Sequence, residues 1–160
     1  MKKLLLIRHA KATHQTGLAD YERPLKYKGS QDAALMAARL REHAIIPQLL
    51  ISSPALRTLA TADIFAEHLS LGQPHTDKSI YDASEGTLVK VVNQLPGQHD
   101  FIGLVGHNPG ISQLVYYLTG EMREMETCAA VLIEFDLEEW SAIGKESGKI
   151  TYYSSPDQSL

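Results

Sequence analysis

The sequence predicts a three-layer α/β/α domain around a mainly parallel sheet, and three observations predict it. Short apolar runs at Leu4-Leu5-Leu6-Ile7, Leu49-Leu50-Ile51 and Phe101-Ile102-Gly103-Leu104-Val105 read as buried strands. Segments with helical apolar spacing lie between and after them, the alternation that favours a parallel sheet. Each strong strand then opens directly into polar residues: Arg8-His9, Ser52-Ser53-Pro54 and Gly106-His107-Asn108. Ligand crevices of open α/β sheets lie at the carboxyl ends of the strands, so all three segments are placed at one edge.

The elements follow in order. The first strand covers about Lys3 to Ile7, and Lys11 to Lys28 is polar and irregular, with Gly17 and Pro24 as turn formers. A helix is expected from Gly29 to about His43, with Ala33, Ala37, Leu40 and Ala44 inward. After the second strand, Ser52-Ser53-Pro54 supplies a cap and a first-turn proline for a helix carrying Leu56, Leu59, Ala60 and Phe65. Leu71 to Thr76 reads as a loop and Lys78 to Tyr81 as a short strand. Ser84 caps a helix with Leu88, Val91, Val92 and Leu95 on one face, ended by Pro96-Gly97. Asn108-Pro109 repeats the cap and proline before Ile111, Leu114, Val115 and Leu118, and Gly120 stops that helix. Ala129 to Phe135 is strand-like, Leu137 to Ile143 is one or two helical turns, and Lys149 to Tyr153 is a last, edge strand before a polar tail.

Bulk properties narrow the class. A chain of 160 residues is expected to form a single domain, residues 1–160, with a substantial core. A net charge of −4 argues against nucleic-acid binding through a basic surface. The apolar run after Lys2-Lys3 breaks at Arg8-His9, too early for a secretory signal, and no stretch is long enough to span a membrane. Cys128 stands alone, so no intrachain disulfide can form, and a cytoplasmic location is expected. The seven histidines show no metal-ligand spacing, and no glycine-rich nucleotide loop is present, so neither a metal nor a cofactor is expected.

The residues that carry chemistry are cations and imidazoles. Arg57 falls in the first turn of its helix, where positive charge is unfavourable by a few tenths to about 1 kcal/mol unless an anion offsets it. That placement suggests a bound anion shared between the guanidinium and free backbone N–H groups. Arg8-His9 and His107 close two strands at the same sheet edge, and together these positions suit phosphoryl transfer.

The chain resembles the histidine phosphatase superfamily, with its phosphoglycerate-mutase-like fold, and within it the short SixA-type phosphohistidine phosphatases. Leu6-Ile7-Arg8-His9-Ala10 matches the strand bearing the nucleophilic histidine. Arg23-Pro24-Leu25 with Gly29, Ser52-Ser53-Pro54 with Arg57 and Thr61, Tyr81-Asp82-Ala83-Ser84, and Gly106-His107-Asn108-Pro109-Gly110 match further segments in the same order. Ala10 replaces a glycine found in many members, and Lys26 replaces a threonine that follows arginine-proline-leucine.

The resemblance implies a metal-independent phosphatase. Neutral His9 attacks phosphorus and forms a phosphohistidine that water hydrolyses, releasing inorganic phosphate. Arg8, Arg57 and Arg23 bind the phosphoryl oxygens, and His107, if protonated, donates to them. Asp82 is the first candidate for the proton donor and Glu85 the second. Phosphohistidine on a partner protein is the leading substrate class, because an imidazole leaves with less help from an acid than an alkoxide does. The absence of long insertions fits a minimal, uncapped site, with Lys11 and His14 at its rim. A phosphomonoesterase for a small metabolite is the alternative, and a non-catalytic phosphate-binding or regulatory protein is the alternative of another class.

Overall fold

The structure, a computed structural model, describes residues 1–158; Ser159 and Leu160 of the polar tail lie outside the described residues. A six-stranded sheet runs in the order β3-β2-β4-β1-β5-β6. The strands are β1 (Lys2–Arg8), β2 (Leu49–Ser52), β3 (His75–Thr76), β4 (Phe101–Gly106), β5 (Ala130–Phe135) and β6 (Gly148–Ser154). Strands β3, β2, β4 and β1 are mutually parallel, and β5 runs antiparallel to both β1 and β6. Among the described residues, four α-helices cover the faces: α1 (Tyr27–Glu42), α2 (Leu56–His68), α3 (Glu85–Asn93) and α4 (Gly110–Thr119).

Strand β1 shows why the apolar runs read as they do. Leu4 and Leu6 pack into a core shared with α3 and α4, and Leu5 and Ile7 pack into one shared with α1 and α2. A strand buried on both faces has no reason to alternate. Each such side chain contributes about 2 kcal/mol on burial, which fixes the strand firmly enough to hold a reactive group at its end.

Several elements differ from the sequence expectation. Helix α1 begins at Tyr27, two residues early. Ala44 is not on its inner face but lies beyond its end with φ of 56°, where Ile45 N–H donates to the Leu40 carbonyl and Ala44 N–H to that of Arg41. This is a left-handed helix cap, and Met36 takes the inward place instead. Residues Lys78–Ile80 form a 3₁₀ turn rather than a strand, because the Asp77 carboxylate accepts from Ser79 N–H and Oγ and curls the chain. The strand of that region is His75–Thr76, paired with β2.

Both proline-led helices start later than expected. Ala55 precedes α2 and Pro109 precedes α4, neither with a side-chain cap. The Ser53 hydroxyl is used elsewhere, accepting from Ala55 N–H at 3.2 Å and meeting His107 Nε2 at 2.9 Å. On α2 the inward face is Arg57, Thr58, Thr61, Ala62, Phe65 and Ala66, while Leu56 is 45% exposed. Of the apolar residues expected on this helix, Phe65 is buried while Leu56 is not, because the first turns bury polar groups that have specific partners.

Candidate active site

Register assembles the site. Arg8 pairs with Gly106 across β1 and β4, and Ser52 pairs with Val105 across β2 and β4. The next residues in each strand, His9, His107 and Ser53, are therefore neighbours. His9 N–H donates to the Gly106 carbonyl at 3.0 Å, and Ser53 N–H to that of Val105 at 3.3 Å. Cys128 N–H donates to the carbonyls of Arg8 and His9, both at 3.0 Å, closing the other side. Cys128 itself is fully buried, and burial pushes its thiol pKa up, so it is an inert packing group.

The bonding partners fix the state of His9. Its Nδ1 lies 2.8 Å from the Ala10 carbonyl oxygen, which can only accept, so Nδ1 carries the proton and Nε2 carries the lone pair. Burial is the main cause that pulls the His9 pKa down to about 3; the Ala10 bond opposes this, and His107, Arg57 and Arg8 add to it. His9 is 8% exposed and lines the cleft. Ala10, at the position glycine holds in many members of the resembled family, is buried without a positive φ, and its N–H donates to Thr61 Oγ1 at 3.0 Å. Thr61 Oγ1 in turn donates to the Arg57 carbonyl at 2.7 Å, tying the end of β1 to α2.

His107 is also neutral. Arg57 Nη2 can only donate, so His107 Nδ1 accepts from it at 3.3 Å, and Nε2–H donates to Ser53 Oγ. Burial first, and then the charge of Arg57, lower the His107 pKa to about 4. Both ring nitrogens are thus engaged, and donation to a phosphoryl oxygen requires His107 to release one of these partners.

The cleft has a volume of about 460 Å³ and gathers Arg8, His9, Arg23, Arg57, His107 and Asp82, the residues singled out from the sequence. Lys11, His14 and Lys26 are also in its wall, so positive charge dominates it on a chain of net charge −4. Arg8 Nη1 donates to the Met125 carbonyl at 3.0 Å, and Asn108 Nδ2 reaches the same oxygen at 2.9 Å. Arg23 is held by Thr13 O at 2.6 Å and by Asp20 Oδ1 at 2.9 Å. The Nε atoms of Arg8 and Arg57 are buried without a partner. Orphaned guanidinium donors at a cationic cleft fit a tetrahedral oxyanion.

Asp82 is exposed at the wall, with φ of 49°. Glu85 is not brought to the site: it faces a separate cleft, also about 460 Å³, lined by Pro109, Ser112, Tyr116 and Met122 among others. Sequence reasoning missed Asp20, Ser53 as a partner of His107, and the Met125 carbonyl. Only Asp20 had a signal, its spacing of three residues from Arg23. Among the described residues, no three His, Cys, Asp or Glu side chains are grouped to hold a metal, and no helix is long and apolar enough to cross a membrane.

Related sequences and the same fold occur in known proteins. An uncharacterized chloroplastic protein from Arabidopsis thaliana is 29% identical over 178 residues, spanning 99% of this chain and 80% of that protein. A structure from Agrobacterium tumefaciens, assigned provisionally as the phosphohistidine phosphatase SixA, superimposes with a TM-score of 0.84 at 20% identity, covering 97% of this chain and 98% of that one. The protein histidine phosphatase SixA complexed with tungstate gives a TM-score of 0.83 at 21% identity, covering 96% and 97%. These likenesses establish a phosphoglycerate-mutase-like fold. The model of the histidine phosphatase superfamily (branch 1) matches residues 4–89, the stretch that runs from the strand ending at Arg8-His9 through Arg57 and Asp82. By that match the chain belongs to the histidine phosphatase superfamily, and it is a phosphatase of that family.

Proposed function

We propose that the protein is a metal-independent phosphatase that forms a phosphohistidine on His9, and that its substrate is phosphohistidine on a partner protein. One observation carries the reading: a buried neutral imidazole, with Nδ1 tied to the Ala10 carbonyl and the Nε2 lone pair free, in a cleft lined by arginines. Nε2 attacks phosphorus in line with the bond to the leaving nitrogen, and that bond breaks as the new P–N bond forms. Arg8, Arg23 and Arg57 bind the three oxygens whose charge spreads in the transition state. Water then attacks the phosphorus, the P–N bond to His9 breaks, and inorganic phosphate leaves.

The leaving group supports the choice of substrate. A departing imidazole is a weaker base than an alkoxide and needs little from an exposed acid such as Asp82. The basic wall supports a partner whose surface around the phosphorylated histidine is acidic. Asp82 also supports a second reading, a small phosphomonoester, for which its proton would be needed.

The test compares turnover of a phosphohistidine-bearing protein, an aryl phosphate and sugar phosphates, with acid-labile phosphoenzyme trapped in each case. A higher kcat/KM for the phosphoprotein is expected, and phosphate, vanadate and tungstate should compete. Faster turnover of the sugar phosphates would replace the leading reading with the second. Anion binding without phosphoenzyme or turnover would make the protein a phosphate sensor.

A further inference from the structure

Asp20 does not line the cleft, yet two arginines of the cleft and the neighbouring Tyr81 converge on it. Arg57 grips it twice, with Nη1 donating to the Asp20 carbonyl at 2.8 Å and Nη2 to Oδ2 at 3.0 Å. Arg23 Nη1 donates to Oδ1 at 2.9 Å. The Tyr81 hydroxyl donates to Oδ2 at 2.6 Å, and its ring meets His107 edge-on with centroids 5.4 Å apart. Tyr21, the next residue, packs edge-on against Tyr81 at 5.2 Å.

The partners differ sharply in burial: the Asp20 side chain is 53% exposed and that of Arg57 is 8% exposed. An ion pair with so exposed a partner contributes little stability. What Asp20 supplies is geometry. The carbonyl and carboxylate of one residue hold both terminal nitrogens of a guanidinium, which fixes its plane. The same guanidinium reaches His107 Nδ1, so its orientation is shared with the imidazole. These bonds hold the Asp20 carboxyl well below the usual carboxylate range, with Tyr81 the largest cause and Arg23 next, so it stays an acceptor throughout the neutral range.

We propose that Asp20 is a positioning residue that locks Arg57 and Arg23 into one phosphoryl-binding unit and links that unit to His107. The proposal rests on the phosphatase reading in naming phosphoryl as the group bound. It predicts an effect opposite in sign to charge neutralisation. Removing a nearby negative charge by itself tightens binding of an anion; removing a positioning group weakens it.

The experiment compares Asp20→Ala and Asp20→Asn in the wild-type and Arg57→Ala backgrounds. It reads kcat and KM on an aryl phosphate and, separately, the dissociation constant of inorganic phosphate by calorimetry. Asp20→Ala is expected to lower kcat/KM roughly tenfold to a hundredfold, the cost of a misplaced catalytic group, and to weaken phosphate binding. Asp20→Asn, which keeps an acceptor, should recover part of the loss, and in the Arg57→Ala background the second substitution should cost less than in the wild type, leaving only the part carried through Arg23. Unchanged kinetics, tighter phosphate binding, or equal losses in both backgrounds would overturn the proposal. If Asp20→Ala does not fold, Asp20→Asn and Tyr81→Phe carry the same comparison. Wild-type protein that binds phosphate without turning over substrate would overturn the phosphatase reading alone, and the binding comparison would still decide the role of Asp20.

Discussion

The rings of His9 and His107 lie with centroids 5.5 Å apart and planes tilted by 58°, at the ends of two adjacent parallel strands. Burial first, and then the charge of the arginines beside them, keeps both imidazoles from readily carrying charge. Their ordinary pKa of about 6.5 falls to about 3 for His9 and about 4 for His107. The pair is therefore a neutral base and a neutral neighbour until an anion enters.

The first prediction concerns stability against pH. Between about 6.5 and the lowered values the unfolded chain binds more protons than the folded one, so stability rises with pH across that window. Acidification from neutrality removes it, by up to about 1.4 kcal/mol per pH unit for each histidine. Urea unfolding at pH 7, 5.5 and 4.5 should show a progressive fall, and His107→Phe should flatten the slope. A pH-independent midpoint across that range would contradict the buried neutral pair.

The second concerns the nucleophile. His9→Ala should remove the trapped phosphoenzyme and reduce turnover by about three orders of magnitude or more, because no other group replaces a covalent step. Calorimetry should still detect phosphate, since the arginines remain. Persistent labelling in the variant would place the nucleophile elsewhere.

The third concerns the backbone beneath the site. Gly29 sits in the first turn of α1, where a Cβ would collide with the Lys11 carbonyl. Lys11 follows His9 by two residues, so the close approach holds the end of β1 against the helix. Gly29→Ala should destabilise the protein by about 1–3 kcal/mol, the usual cost of overpacking, and should raise KM as well. A melting curve and a saturation curve on the same sample check both.

The fourth concerns the basic wall. Lys11→Glu with Lys26→Glu should raise KM for an acidic phosphoprotein several times more than for an aryl phosphate, and the difference should shrink with added salt. Equal effects on both substrates would remove the support for a macromolecular partner.

Much of this was legible along the chain, for a physical reason. Burial on both faces of β1 produces an unbroken apolar run, and the helical spacing of Leu88, Val91 and Val92 or of Ile111, Leu114 and Val115 is a direct record of which face meets the sheet. Arg8-His9, Arg57 and His107 stood out because polar residues interrupt those patterns at strand and helix ends. Once the strands were known to be parallel, one sheet edge was their only common place.

Tertiary structure alone decided what the polar groups hold. The inward face of α2 is polar in its first turns because Thr58 and Thr61 find carbonyl partners there, so hydrophobicity pointed to Leu56 instead. Ser53, expected to cap a helix, meets His107 because strand register brings it there. Asp20 binds Arg57 across 37 positions and Tyr81 across 61. Local sequence determines periodicity and chain ends, which depend on neighbours a few residues away; the partners of a hydrogen bond depend on which distant segments share a surface, and only the folded chain specifies that.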